Sequence, residues 1–187
     1  MNDSCDSGEC PTRLPEGMLS EYDLTRQATD GIAVWLESTD SIGTVSLEAV
    51  GKARELDNGR VFGILFGDSE KRSLYSEAFE YGVDTIYHIR SPGLNTFRKD
   101  AYAEAIKEIT EKVRSAALMI PNTDNGSILM DALSTIFGRE FSDREELSGP
   151  FPALVCVHPG NGVKRQEGRK GTAINVVPSE KVRSLIE

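Results

Sequence analysis

Gly31-Ile32-Ala33-Val34-Trp35-Leu36 and Val61-Phe62-Gly63-Ile64-Leu65 are two short, unbroken apolar runs with one helical stretch between them. A half-buried strand alternates apolar and polar residues, so a run without alternation reads as a strand covered on both faces, as in a parallel sheet. Parallel neighbours cannot be joined by a tight turn, and the segment between them must be a crossover. It has the composition of one. Ser46 supplies an N-cap oxygen, Leu47, Val50 and Ala53 recur on one face, and Asn58-Gly59 stops the helix.

The same unit repeats downstream. Gly67-Asp68 closes the second strand, Leu74, Ala78 and Tyr81 recur at helical spacing, and a third strand is expected over 85–89. There Tyr87 and His88 point to opposite faces, because strand side chains alternate. After Ser91-Pro92-Gly93, the residues Tyr102, Ile106, Ile109 and Val113 draw a clear apolar stripe. Glu104 and Glu108 stand near Lys107 and Lys112 at ion-pair spacing, which leaves that helix solvated on its back. A fourth strand over 116–120 leads through 121–127 into a helix with Ile128, Leu129, Ala132, Leu133, Ile136 and Phe137, closed by Gly138. That helix reads as the best buried of the set. Beyond it, apolar runs over 153–157 and 172–177 are linked by a long Gly-rich and basic segment, which reads as an antiparallel β-arm before a final short helix over 179–186. The fold class is therefore three-layer α/β, a mostly parallel sheet of about five strands with helices on both faces plus a C-terminal β-arm. The organisation expected is an acidic arm over 1–30 and one α/β domain over 31–187, its core at 31–138 and the β-arm and last helix at 150–187.

The chain has 187 residues, 39% of them apolar, and a net charge of −9. That length suits one core, and the acidic balance excludes a nucleic-acid surface, which rests on clustered Lys and Arg. Without an apolar stretch near the roughly 20 residues of a membrane helix, or a signal pattern, the expectation is no membrane and a cytoplasmic location. Cys5, Cys10 and Cys156 are too few, and odd in number, for a disulfide framework. Cys5 and Cys10 resemble half a metal or cluster site but lack the further Cys or His of four-coordinate binding, so no metal is assigned.

No residue set announces a catalytic group. Open α/β sheets place ligands at the carboxyl ends of their strands, which here singles out Glu37, Ser38 and Thr39 after the first strand and Asn122, Thr123, Asn125, Gly126 and Ser127 after the fourth. Two readings of the second loop stand. Its backbone N–H groups lie at the positive end of a helix and suit an anion, or Asp124 or Asn125 simply caps that helix. Gly160-Asn161-Gly162 lacks the following helix of a phosphate loop. Neither His88 nor His158 has a Cys or carboxylate at ligand spacing in sequence, so both read as structural rather than catalytic, and Cys156 as an inert buried thiol. Trp35 reads as core. The basic residues Lys164, Arg165, Arg169 and Lys170 suit an acidic partner, a nucleotide phosphate or a solvated hairpin tip.

Taken in order, "GIAVWLE", "VSLEAVGKAREL", "EYGVDTIYHI", "AYAEAIKEI" and "ALMIPNTDNGSILMDALSTIFG" resemble the amino-terminal domain of the electron transfer flavoprotein α subunit. The resemblance implies a parallel α/β domain of the adenine-nucleotide-hydrolase-like type. In that family the fourth loop continues with Gly-Arg, whereas Ser127 follows Gly126 here. The family's carboxyl-terminal FAD domain has no counterpart in these residues, so the resemblance assigns FAD to no residue of this chain and leaves it to a partner. It further implies an electron transfer flavoprotein β-like subunit or a second copy of this chain as partner, engaged through 151–177. The functional expectation is a docking or scaffold component in electron transfer, or a homo-oligomeric module. The alternative is a small adenine-nucleotide-binding protein or enzyme, taking a ligand such as AMP between 37–40 and 122–127.

Overall fold

The computed structural model describes residues 31–56, 59–144, 147 and 150–187. The acidic segment 1–30, with Cys5 and Cys10 and a short helix read near Met18, lies outside the described residues.

The strands are β1 (Ile32–Trp35), β2 (Val61–Gly67), β3 (Thr85–Arg90), β4 (Ala117–Pro121), β5 (Ala153–Val157) and β6 (Thr172–Val176). The helices are α1 (Thr44–Leu56), α2 (Arg72–Tyr81), α3 (Lys99–Lys112), α4 (Asp124–Phe137) and α5 (Glu180–Ser184), with a 3₁₀ turn at Pro92–Leu94. All six strands join one sheet in the order β5-β4-β1-β2-β3-β6, and every pairing is parallel. β1, β2, β4 and β5 are buried at every residue, which is why their sequences do not alternate.

Two apolar clusters fill the space on either side. Leu47, Val50 and Ala53 of α1 and Leu74 and Ala78 of α2 pack against Ile32, Val34 and Leu65 on one face. Tyr102 and Ile106 of α3, Leu129 and Leu133 of α4, and Val182 of α5 pack against Ala33, Ile64 and Leu118 on the other. Each fully buried aliphatic side chain contributes about 1.5–3 kcal/mol of transfer free energy. The chain first builds outward from β1 through β2 to β3, then returns to add β4 on the other side of β1. The order reverses at β1, and the crevice at the carboxyl ends of β1 and β4 lies at that switch.

Several local expectations are corrected. β5 and β6 do not pair as an arm; they occupy opposite edges of the sheet, and the connector 158–171 crosses the α1–α2 layer between them. Gly160 and Asn161 donate their N–H groups to Glu48 Oε2 at 2.7 and 2.8 Å, and Gln166 N–H donates to the Glu80 carbonyl at 2.7 Å. A polar Gly-rich link serves a hairpin or a crossover equally well, and only the partners of its flanking strands decide. Helix α1 begins at Thr44, so Ser46 lies inside its first turn, where its Oγ accepts from Glu37 N–H at 3.0 Å.

The best buried helix is α3, not α4. α3 buries Ala101 to Ile106, Ile109 and Thr110, because both α4 and α5 pack against it, whereas α4 leaves Ile128 45% exposed. Its charged residues follow the same logic: Glu104 pairs with Lys181 at 2.8 Å and Glu108 accepts from Ser179 Oγ at 2.7 Å, so α5 covers the back read as solvated.

Candidate functional site

Parallel pairing of β1 with β4 brings the two loops singled out in the sequence onto one rim. Glu37 follows β1, and its carboxylate bridges to the β4–α4 loop: Oε2 accepts from Thr123 Oγ1 at 2.6 Å and Oε1 accepts from Asn125 Nδ2 at 2.9 Å. Thr123, rather than Asp124 or Asn125, is the N-cap of α4, and its Oγ1 accepts from Gly126 N–H at 3.0 Å. One hydroxyl therefore donates to Glu37 and accepts from the helix. Glu37 is fixed in turn by its own backbone, since its carbonyl accepts from Gly43 N–H at 2.8 Å.

Gly126 is required here by space. A Cβ at this position would lie 1.9 Å from the Pro121 carbonyl oxygen. Ser127 is exposed, and its N–H donates to the Thr123 carbonyl at 2.8 Å, inside the helix ladder. Asn122 turns toward β5 instead: its N–H donates to the Val157 carbonyl at 2.8 Å and its side chain meets His158 Nδ1 at 2.9 Å. The structure thus gathers Glu37, Thr123, Asn125 and Gly126, and sets Asn122 and Ser127 apart from them.

Ser38 and Thr39 line a cleft of about 290 Å³ beside this joint, together with Glu37, Asn95 and Asn125. Its wall is an aromatic group that the sequence did not single out. Phe66 and Tyr102 stack with ring centroids 3.8 Å apart, Phe97 meets Tyr102 edge-on at 5.2 Å, and Trp35 lies 6.1 Å from Phe97. Trp35 is core, as read, but it also floors the cleft. Tyr102 Oη donates to the Leu94 carbonyl at 2.7 Å, and burial pushes its pKa up to about 12, so it stays a neutral donor. The signal available in sequence was position: Trp35 and Phe66 stand at the carboxyl ends of adjacent strands.

The two histidines differ. His88 is wholly buried, its Nδ1 is 2.5 Å from Tyr75 Oη, and its Nε2 has no partner among the described residues. Burial first, then the charges of Arg90 and Lys71, bring its pKa down to about 4. His158 is exposed and, contrary to the sequence expectation, has both a carboxylate and a thiol beside it: Asp143 Oδ1 at 2.9 Å and Cys156 Sγ at 3.9 Å. Asp143 is distant in sequence and arrives because Ser142 bridges to Val155 in parallel. Burial, followed by the Asp143 carboxylate, raises the Cys156 thiol above its ordinary value, which disfavours a free thiolate nucleophile.

A family model described as "Electron transfer flavoprotein domain" matches residues 33–141, from β1 to just past α4. The chain belongs to the electron transfer flavoprotein domain family. The Lactate dehydrogenase (NAD(+),ferredoxin) subunit LctC of Acetobacterium woodii is 30% identical over 129 residues, 64% of this chain and 31% of that protein. The Electron transfer flavoprotein subunit alpha of Bacillus subtilis is 26% identical over 91 residues, 48% of this chain and 28% of that protein. Protein FixB of Azorhizobium caulinodans is 26% identical over 110 residues, 54% of this chain and 30% of its own. These matches support an α-type amino-terminal domain of the electron transfer flavoprotein family. The chain spans about 30% of the length of the curated relatives it matches. Among the described residues no helix is long and apolar enough to cross a membrane.

Proposed function

We propose that this electron-transfer-flavoprotein-type domain is a docking component that binds an electron transfer flavoprotein β-like subunit, with FAD held outside the residues described here. The observation that carries this reading is the Glu37 carboxylate at the positive end of α4, between Thr123 Oγ1 and Asn125 Nδ2. In an open α/β sheet that position attracts a phosphate. A phosphate arriving here meets a negative charge already satisfied by the groups that would hold it. The rim is thereby an internal joint between β1 and β4, and its role is to hold the sheet rigid for a partner. For the partner itself, β6 offers an edge left uncovered by the described residues: Thr172 to Asn175 are exposed, Ile174 at 40%, whereas the outer edge of β5 is covered by Ser142.

The second reading is adenine-nucleotide binding, and the aromatic wall of the 290 Å³ cleft favours it because a base stacks on such a surface. Thermal denaturation of the purified chain with AMP, ATP and FAD separates the two. A ligand at 100 times its dissociation constant stabilises by about 2.7 kcal/mol. The docking reading expects no shift with AMP or ATP, a colourless protein, and a mixed species with a purified β-like subunit in light-scattering chromatography. A saturable shift with AMP or ATP overturns it in favour of the nucleotide reading; failure to form the mixed species overturns it too, in favour of self-association where the mass is that of two copies of this chain.

A further inference from the structure

We infer that Asp143, Cys156 and His158 form a binding site for a thiophilic divalent cation, with zinc as the best chemical fit, on the outer edge of β5. Cys156 and His158 are two residues apart at the end of one strand, so their side chains share a face. The third ligand comes from the segment that caps the sheet edge. Ser142 N–H donates to the Leu154 carbonyl and Cys156 N–H donates to the Ser142 carbonyl, both at 2.9 Å, which sets Asp143 beside the strand end. One ligand atom from each of the three residues then lies within 4.8 Å of the others.

The distances fit a small tetrahedral ion. Zinc bonds of about 2.3 Å to sulfur and about 2.0–2.2 Å to nitrogen and oxygen require S···N and N···O edges of about 3.6 and about 3.4 Å. Sγ lies 3.9 Å and Oδ1 2.9 Å from His158 Nε2, so adjustments of about half an ångström, open to the exposed His158 and Asp143 side chains, complete the set around the buried thiol. Thiolate with imidazole selects a softer ion than magnesium or calcium. The other ring nitrogen is already held: Nδ1 meets the Asn122 side-chain amide at 2.9 Å, an arrangement that fixes ring orientation in metal sites and, with the amide turned, accepts the Nδ1–H of a ligated imidazole. Three protein ligands leave a fourth position for water.

The same three residue types occur in nucleophilic relays, but the geometry here is different. A relay places the thiol on one ring nitrogen and the carboxylate on the other. Here both lie on the Nε2 side of the ring, and the three ligand atoms stand within 4.8 Å of one another, as donors to a shared cation must.

The test uses the full chain carrying Cys5→Ser and Cys10→Ser, so that Cys156 is the remaining thiol. Cobalt titration is expected to give a thiolate-to-cobalt charge-transfer band saturating at one ion per chain, bleached by zinc. His158→Ala and Asp143→Asn alter exposed side chains, 52% and 77% accessible, and leave the core intact. Each is expected to weaken binding at least tenfold, since loss of a mere orienting residue already costs about that much. Cys156→Ser removes the band. Absence of the band in the double-serine chain, or an affinity untouched by His158→Ala, overturns the site.

Discussion

Thr123 Oγ1 donates a 2.6 Å hydrogen bond to Glu37 Oε2, joining the ends of two strands that lie 86 residues apart in the chain. A hydrogen bond to a charged group contributes more than a neutral one, and this carboxylate accepts two. Glu37→Ala leaves Thr123 Oγ1 and Asn125 Nδ2 without their acceptor in a part-buried crevice. Urea denaturation should show a loss of about 1–3 kcal/mol. Glu37→Gln should recover only part of it, because its amide donor would face the Asn125 donor. Equal stability of all three proteins would show that the joint holds nothing.

Glycine matters at two ends of the same helix for different reasons. At Gly126 a Cβ would meet the Pro121 carbonyl oxygen at 1.9 Å, and backbone cannot yield as a flexible side chain does. Gly138 adopts φ 68° in the left-handed region, and a Cβ there would meet no other atom within 4 Å. Gly138→Ala should therefore cost about 1 kcal/mol, the conformational term alone. Gly126→Ala should cost about 2–4 kcal/mol, since the loop must move. Guanidinium midpoints of the two variants, compared at equal slope, test the order.

The contrast between those loops and the sheet edges explains what the sequence could carry. β1, β2 and β4 were legible because each is a continuous apolar run, and β3, which alternates, because it sits between two helical stretches; the topology that follows brings Glu37 next to Asn125. The N-cap was displaced to Thr123 because Thr, Asp and Asn all cap helices, and only the hydrogen bond to Gly126 N–H distinguishes them. The place of β6 and the meeting of Asp143 with His158 were not legible. Both depend on which distant strand a segment joins, and local periodicity holds no information about that.

His88 gives stability a defined pH dependence. Its folded pKa of about 4 lies below the usual value of about 6.5 in an unfolded chain. Between those values the unfolded chain binds the proton and the folded one does not, so stability is full above pH 6.5 and falls as pH drops toward 4. That separation, at about 1.4 kcal/mol per pH unit, amounts to roughly 3 kcal/mol. His88→Gln should lower stability at pH 7, where the Tyr75 contact is lost, yet flatten the dependence between pH 6.5 and 4.5. A wild-type profile that is flat across this window would contradict the burial argument.

Asp84 ties the connector 158–171 to the sheet. It pairs with both Arg54 and Arg169 and accepts from Val61 N–H at 2.8 Å, while Arg169 also donates to the Phe79 and Val83 carbonyls at 2.9 and 2.5 Å. Burial alone would raise the Asp84 carboxyl, but the Val61 N–H and the two guanidinium groups outweigh it and hold the carboxyl below its ordinary value. A depressed carboxyl stabilises the fold above its unfolded pKa and loses that contribution as pH falls through the folded one, so Asp84 acts at more acid pH than His88. Arg169→Ala should destabilise by about 1–3 kcal/mol, because it frees the connector from two carbonyls and one carboxylate. Asp84→Asn should cost a similar amount, and the double variant less than both combined, with a coupling above about 0.5 kcal/mol. Strict additivity would mean that the connector is held by its Glu48 and Glu80 contacts instead, and that β6 is placed on the sheet without help from this ion pair.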